Sequence, residues 1–243
     1  MQVQLFATCL IDSLFPAVGE AVVAVLRACQ VQVEFPFAQT CCGQPAFNAG
    51  DWSGARKMAR KTLEVLEVSR DPVIIPSGSC AHMIRHGYPQ LFADDPTWLA
   101  RAERLAARTY ELSQFLVDIL GVQGWEGVPG ARLAYHPSCH LLRGMGIEHQ
   151  PLQLLESIQG MEVARLEPEC CGFGGVFSVD QAELSAEMLA RKLRAIEHAQ
   201  AERIVGCDVS CLMHIEGGLR KQGSPVRCAH LAQVLAGDSG ALR

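Results

Sequence analysis

Residues 31–43, VQVEFPFAQTCCG, and residues 161–172, MEVARLEPECCG, follow one plan: a short β-rich run that leads into Cys-Cys-Gly. Each pair has a lone cysteine upstream, Cys9 or Cys139, and another downstream, Cys80 or Cys211. The gaps are C-x31-CC-x37-C in the first half and C-x30-CC-x39-C in the second. Chance or core packing does not account for a four-thiol set repeated at such similar spacing. The chain is therefore expected to build two equivalent metal or redox sites on two equivalent lobes.

Working outward from the first pair, QVQLFAT at 2–8 alternates apolar and polar residues and predicts a strand with Cys9 just past its end. PAVGEAVVAVLRAC at 16–29 predicts a helix opened by Pro16. VQVEF at 31–35 is a strand stopped by Pro36. A helix is expected from Ser53 to Val68, with Met58, Leu63, Val65 and Leu66 as its apolar stripe. Asp71-Pro72 ends it, and VIIP at 73–76 is an apolar strand of the buried parallel kind. Ser77–Cys80 then forms a loop, with a helix from Ala81 onward.

The second half repeats the order. ARLAYH at 131–136 is a strand leading to Cys139, residues 150–159 are helical, and MEVARL at 161–166 is a strand leading to Cys170-Cys171. Ser178 with Gln181 forms an expected capping box for a helix reaching about Gln200. ERIVG at 202–206 is the third strand, followed by Cys207 and Cys211. RTYELSQFL at 108–116 matches RCAHLAQVL at 227–235. The copies are offset by 130, 129 and 131 residues at the cysteines but by 119 at this last segment. The first lobe therefore has additional residues between Cys80 and Arg108, around Asp94-Asp95-Pro96.

Alternating strands and helices imply a parallel α/β sheet, whose ligand crevice lies outside the C-terminal strand ends. The fold class expected is α/β: two pseudo-twofold-related lobes, each a small parallel sheet flanked by helices, with the cysteines in loops at those strand ends. The first lobe spans 1–120 and the second 131–243, joined by the linker GVQGWEGVPG at 121–130.

Composition narrows the class. The 243 residues are 49% hydrophobic and 19% charged, with net charge −5 and 11 cysteines. No basic run favours nucleic acid or an anionic membrane. No apolar stretch is long enough to span a bilayer, and MQVQLFATC is no signal peptide, so a cytoplasmic location is expected. In that compartment patterned cysteines ligate metal or do redox work more often than they form disulfides.

Four thiolates per lobe suit a cubane iron–sulfur cluster or a structural zinc. The absence of tight C-x2-C pairs weighs against zinc. Adjacent cysteines point apart and suit different irons of one cluster. Gly43 and Gly172 let the backbone approach it, with positive φ where needed. Cys29 and Cys228 read as inert buried thiols. Cys207 is a further candidate for a ligand or supporting role, although it aligns with Pro76 of the first lobe and duplication does not mark it as a ligand. Among the histidines near cysteines, which include His82 and His136, His140 and His214 are the better candidates for a ligand or supporting role. No nucleotide or flavin fingerprint is present.

PSGSCAHMIRHGYPQLF at 76–92, YHPSCHLLRGMGI at 135–147, CCGFGG at 170–175 and SCLMHIEGG at 210–218 resemble the CCG cysteine-rich domain family of iron–sulfur proteins, in particular its lactate-utilisation members. The resemblance implies an iron–sulfur subunit of a cytoplasmic L-lactate-oxidising complex. One iron–sulfur cluster of the 4Fe-4S kind would sit in each lobe. Cys9, Cys41, Cys42 and Cys80 would hold the first, and Cys139, Cys170, Cys171 and Cys211 the second. Its partners would be a ferredoxin-type iron–sulfur protein and a third small subunit. The chain departs from the five-cysteine pattern of heterodisulfide reductase subunits, which ends in C-x2-C. Ser77 and Asp208 stand where the penultimate cysteine would be. A thiol–disulfide reductase and a zinc-stabilised scaffold are the alternative readings.

Overall fold

A computed structural model describes residues 1–127 and 132–237. Its frame is two four-stranded, wholly parallel sheets. The first contains β1 (Gln2–Leu5), β2 (Gln32–Glu34), β3 (Val73–Ile75) and β4 (Thr109–Glu111) in the order β2-β1-β3-β4. The second contains β5 (Arg132–Tyr135), β6 (Glu162–Arg165), β7 (Arg203–Gly206) and β8 (Arg227–His230) in the matching order β6-β5-β7-β8. Three strands per sheet fall where the sequence places them, with trimmed ends. β4 and β8 are additions, and they are the two matched segments at 108–116 and 227–235.

The helices show where sequence patterns mislead. Pro16 does open the helix Pro16–Ala28. The helix expected over 53–68 is Trp52–Leu66, capped by Asp51, and its buried face is Ala55, Ala59, Thr62, Leu63 and Leu66. Met58 is 38% exposed and Val65 only half-buried, so the expected stripe is corrected. Small alanines let this helix lie close on the sheet, and Met58 turns toward Gly43. The capping box at Ser178 is not formed. Ser178 lies in a separate turn, Phe177–Asp180, where its hydroxyl donates to Gly175 O, and the long helix begins at Ala182. The additional residues of the first lobe are the helix Pro96–Ala106, 11 residues long and capped by Asp95.

The two sheets share their core. Val3, Leu5 and Leu26 pack in one cluster with Leu133, Tyr135, Leu155 and Leu235. Ile11 and Val18 likewise pack with Ile204 and Leu212. Of the expected linker, residues 121–127 carry no regular structure and are fastened to the second lobe. Trp125 Nε1 donates to Leu235 O at 2.6 Å, and Ser157 Oγ accepts from Trp125 N at 2.8 Å. Residues 128–130 of that linker, and residue 131 of the expected strand, lie outside the described residues.

Candidate metal centre

Each four-thiol set is assembled by one sheet. β1 and β5 deliver Cys9 and Cys139 to the first turns of the segments that follow them. The loops after β2 and β6 bring in Cys41-Cys42 and Cys170-Cys171. Cys80 and Cys211 come after β3 and β7. Neither is in a loop, as expected for Cys80: they lie in the first turns of the helices Gly78–His82 and Val209–Lys221. A Ser77 hydroxyl that accepts from Cys80 N starts the first of these helices early.

In the first set Cys9 Sγ lies 3.8 Å from Cys41 Sγ, and Cys42 Sγ lies 3.3 Å from Cys80 Sγ. Gly43 N donates to Cys41 Sγ at 3.4 Å and Gly172 N to Cys170 Sγ at 3.5 Å. Hydrogen bonds from Cys42, Cys9 and then Gly43 pull Cys41 down to about 3. Bonds from Cys139, Cys171 and Gly172 pull Cys170 down to about 2. Hydrogen bonding to those thiolates pushes Cys9, Cys42, Cys139 and Cys171 upward.

The two glycines are needed. Gly43 has φ +87° and Gly172 φ +94°, and a Cβ there would meet Met58 Cβ at 3.2 Å and Ser185 O at 2.6 Å respectively. Thr8, just before Cys9, adopts φ 71°, ψ 150°, a region nearly confined to glycine. The strain turns the chain so that Thr8 and Cys9 both face the site.

Both sets open onto a single cavity of about 190 Å³ between the lobes. All eight repeated cysteines line it. Asp208 forms its floor and joins the lobes. Its Oδ1 accepts from Ser77 Oγ at 2.8 Å, Ser79 N at 3.1 Å and Ser79 Oγ at 2.8 Å, and its Oδ2 accepts from Ser138 Oγ. The two positions that depart from the five-cysteine pattern are therefore bonded to each other across the pseudo-twofold axis.

The residues fit a metal or cluster. Four thiols per lobe converge, hydrogen-bond donors are aimed at sulfur, and the shared cavity gives room beyond what a single ion needs. The second lobe also contributes His136. A ring nitrogen of this histidine, Cys171 Sγ and Cys211 Sγ lie within 4.8 Å of one another, close enough to hold one ion. Burial, and then the Lys192 charge, hold His136 down to about 4, so it stands as neutral imidazole.

The other candidates separate clearly. His140 touches both lobes: its Nδ1 is 3.8 Å from Cys139 Sγ and its Nε2 is 3.3 Å from Gln44 Nε2. Its ring lies 5.3 Å from that of His82, which is 5.0 Å from that of His86, so three histidines gather beside the cavity. His214 packs on Phe173 at 6.0 Å, with Nε2 buried and unpaired. Cys207 does not line the cavity; it is fully buried beside Tyr135, whose hydroxyl is 4.0 Å away. Cys228 is buried and Cys29 half-buried, and none of the eleven cysteines is bridged.

The model of the CCG cysteine-rich domain matches this chain twice, over residues 3–85 and 133–216. Lactate utilization protein A 2 of Bacillus cereus is 42% identical over 238 residues, spanning 97% of this chain and 98% of the relative. Lactate utilization protein A of Geobacillus kaustophilus is 45% identical over 237 residues, with the same coverage. A hypothetical protein from Helicobacter pylori shares the fold with a TM-score of 0.64 at 11% identity, over 98% of this chain and 49% of that one. With two matched repeats, each framing one four-thiol set, the chain belongs to the CCG cysteine-rich domain family.

Proposed function

We propose that this chain is an iron–sulfur subunit of a lactate-utilisation system, carrying electrons released when L-lactate is oxidised to pyruvate. The observation that carries this reading is the pair of four-thiol sets facing one cavity, in a chain related over nearly its whole length to proteins named for lactate utilisation. Cys9, Cys41, Cys42 and Cys80 would hold one four-iron cluster, and Cys139, Cys170, Cys171 and Cys211 another. When bound, the clusters supply one-electron transfer, and two of them match the two electrons that lactate gives up. The chain's own contribution is to hold the thiolates converged and to donate from Gly43 N and Gly172 N to the leading sulfurs. It also keeps both sites at one cavity through the Asp208 junction.

A ferredoxin-type iron–sulfur protein and a third small subunit would complete the complex in the cytoplasm. Among the described residues no helix is long and apolar enough to cross a membrane. One observation favours a zinc site instead: the 3.8 Å between Cys9 and Cys41 is close to the edge of a tetrahedron with arms of about 2.3 Å. The test is anaerobic addition of L-lactate to the chain purified with its co-expressed partners. Bleaching of the visible absorbance with one pyruvate formed per two electrons stored supports the proposal. Unchanged absorbance, together with normal growth on L-lactate of a strain lacking the chain, contradicts it.

A further inference from the structure

We propose that His136 is a ligand of the metal centre in the second lobe, giving that centre a nitrogen donor that the first lobe lacks. The inference rests on the iron–sulfur reading above and deepens it by making the two sites chemically different. His136 follows β5 and is 1% exposed. Its backbone is held by the bond from His136 N to Val205 O at 2.8 Å, but neither ring nitrogen has a hydrogen-bond partner. A buried imidazole with both nitrogens unpaired is unfavourable unless something takes one of them. The thiols of Cys171 and Cys211 lie within 4.8 Å of a ring nitrogen and can share a ligand with it. An imidazole beside two cysteine sulfurs is a donor set suited to iron or zinc.

The first lobe shows what the same place looks like without this donor. Phe6 follows β1 as His136 follows β5, and Phe6 N bonds to Ile74 O at 3.0 Å, the counterpart of the Val205 contact. Phe6 is fully buried and belongs to the apolar cluster that contains Cys42 and Cys80. The duplication also sets Lys192 opposite Thr62. Lys192 is buried, with Nζ on Glu167 O at 2.7 Å. The aligned positions thus carry a phenyl ring and a threonine in the first lobe, and an imidazole and an ammonium group in the second. In this assignment His136 stands in place of one of the four thiolates named above, and histidine in place of thiolate raises the potential of an iron–sulfur centre, so the second centre is the stronger electron acceptor of the two.

The experiment is pulsed EPR on the dithionite-reduced, anaerobically purified full chain carrying 15N-labelled histidine, beside His136→Phe, which copies the first lobe, and His136→Gln. The expected result is strong nitrogen coupling on one of two centres, absent from both variants, while the other centre's signal is unchanged. Redox titration of wild type should resolve two potentials that move together in His136→Phe. Two centres without nitrogen coupling in wild type, or coupling that survives in His136→Phe, overturn the assignment and leave the functional reading intact. The wild-type spectrum decides even if a variant folds poorly. Protein holding no iron–sulfur centre overturns the functional reading and this assignment with it.

Discussion

Replacing Asp208 tests whether the position of the missing cysteine has become a junction between lobes. Asp208 is 2% exposed and accepts four hydrogen bonds, three from the first lobe and one from Ser138 of the second. Ser77 Oγ and Ser79 Oγ lie 3.1 Å apart and can turn to each other. Ser79 N and Ser138 Oγ have no second partner of this kind. A hydrogen bond to a charged group is worth about 1.5–3 kcal/mol, so stranding these two donors in Asp208→Ala costs about 3–6 kcal/mol. Asp208→Asn keeps one carbonyl oxygen for the three first-lobe donors and turns its amide toward Ser138 Oγ, which can accept. Its cost is about 1 kcal/mol. Urea unfolding followed by tryptophan fluorescence gives both numbers, and metal analysis of the same preparations gives the ligand content. The expectation is a large loss of stability for Asp208→Ala, a small one for Asp208→Asn, and wild-type metal in Asp208→Asn. Equal damage from the two variants, with metal lost from both, would show that Asp208 binds metal and refute the junction.

Three further outcomes follow from the geometry. Gly172→Ala destabilises more than Gly43→Ala, because its Cβ would sit 2.6 Å from Ser185 O against 3.2 Å from Met58 Cβ. Thermal melts should rank them so, by at least about 1 kcal/mol, and the reverse order would contradict the account. Cys29→Ser, Cys207→Ser and Cys228→Ser retain full metal content, whereas Cys42→Ser or Cys171→Ser loses one site; loss of metal from Cys207→Ser would make that thiol a ligand. Burial raises Glu111 from its ordinary 4.5 to about 7, and its Oε1 is unpaired, as suits a protonated carboxyl. A folded value above the unfolded one means stability that is fully present below 4.5 and lost as pH rises through 7, about 3 kcal/mol in all. Glu111→Gln should flatten the stability profile between pH 5 and 8; an unchanged slope would show that Glu111 does not titrate there.

The repeat made most of the frame legible. Three strands per lobe announce themselves because each is a short apolar or alternating run ending near a cysteine. β4 and β8 do not: Thr109–Glu111 is three residues long, and its burial comes from pairing with β3 rather than from any pattern of its own. The S-x-x-Q pattern at Ser178 misleads because Gly175 O captures the hydroxyl one turn too early. Met58 misleads because the alanines, not the larger side chains, face the sheet.

At the site, the eight repeated cysteines do converge, since duplication constrains all of them together. His136 was one histidine among several. The signal that singles it out is its alignment with Phe6, which puts a polar ring where the other copy needs an apolar one. Asp208 was visible as a departure from a five-cysteine pattern. Its bond to Ser77 could not be read, because no sequence spacing reports a contact across the axis between lobes. The gathering of His82, His86 and His140 is hidden for the same reason.

The most direct test of the central claim is the content of iron, acid-labile sulfide and zinc per chain in anaerobically purified protein, with its visible spectrum. The account predicts equal iron and sulfide, about four of each per lobe, with broad brown absorbance. One or two zinc ions per chain with no sulfide and no colour would contradict it, leaving a duplicated structural zinc protein.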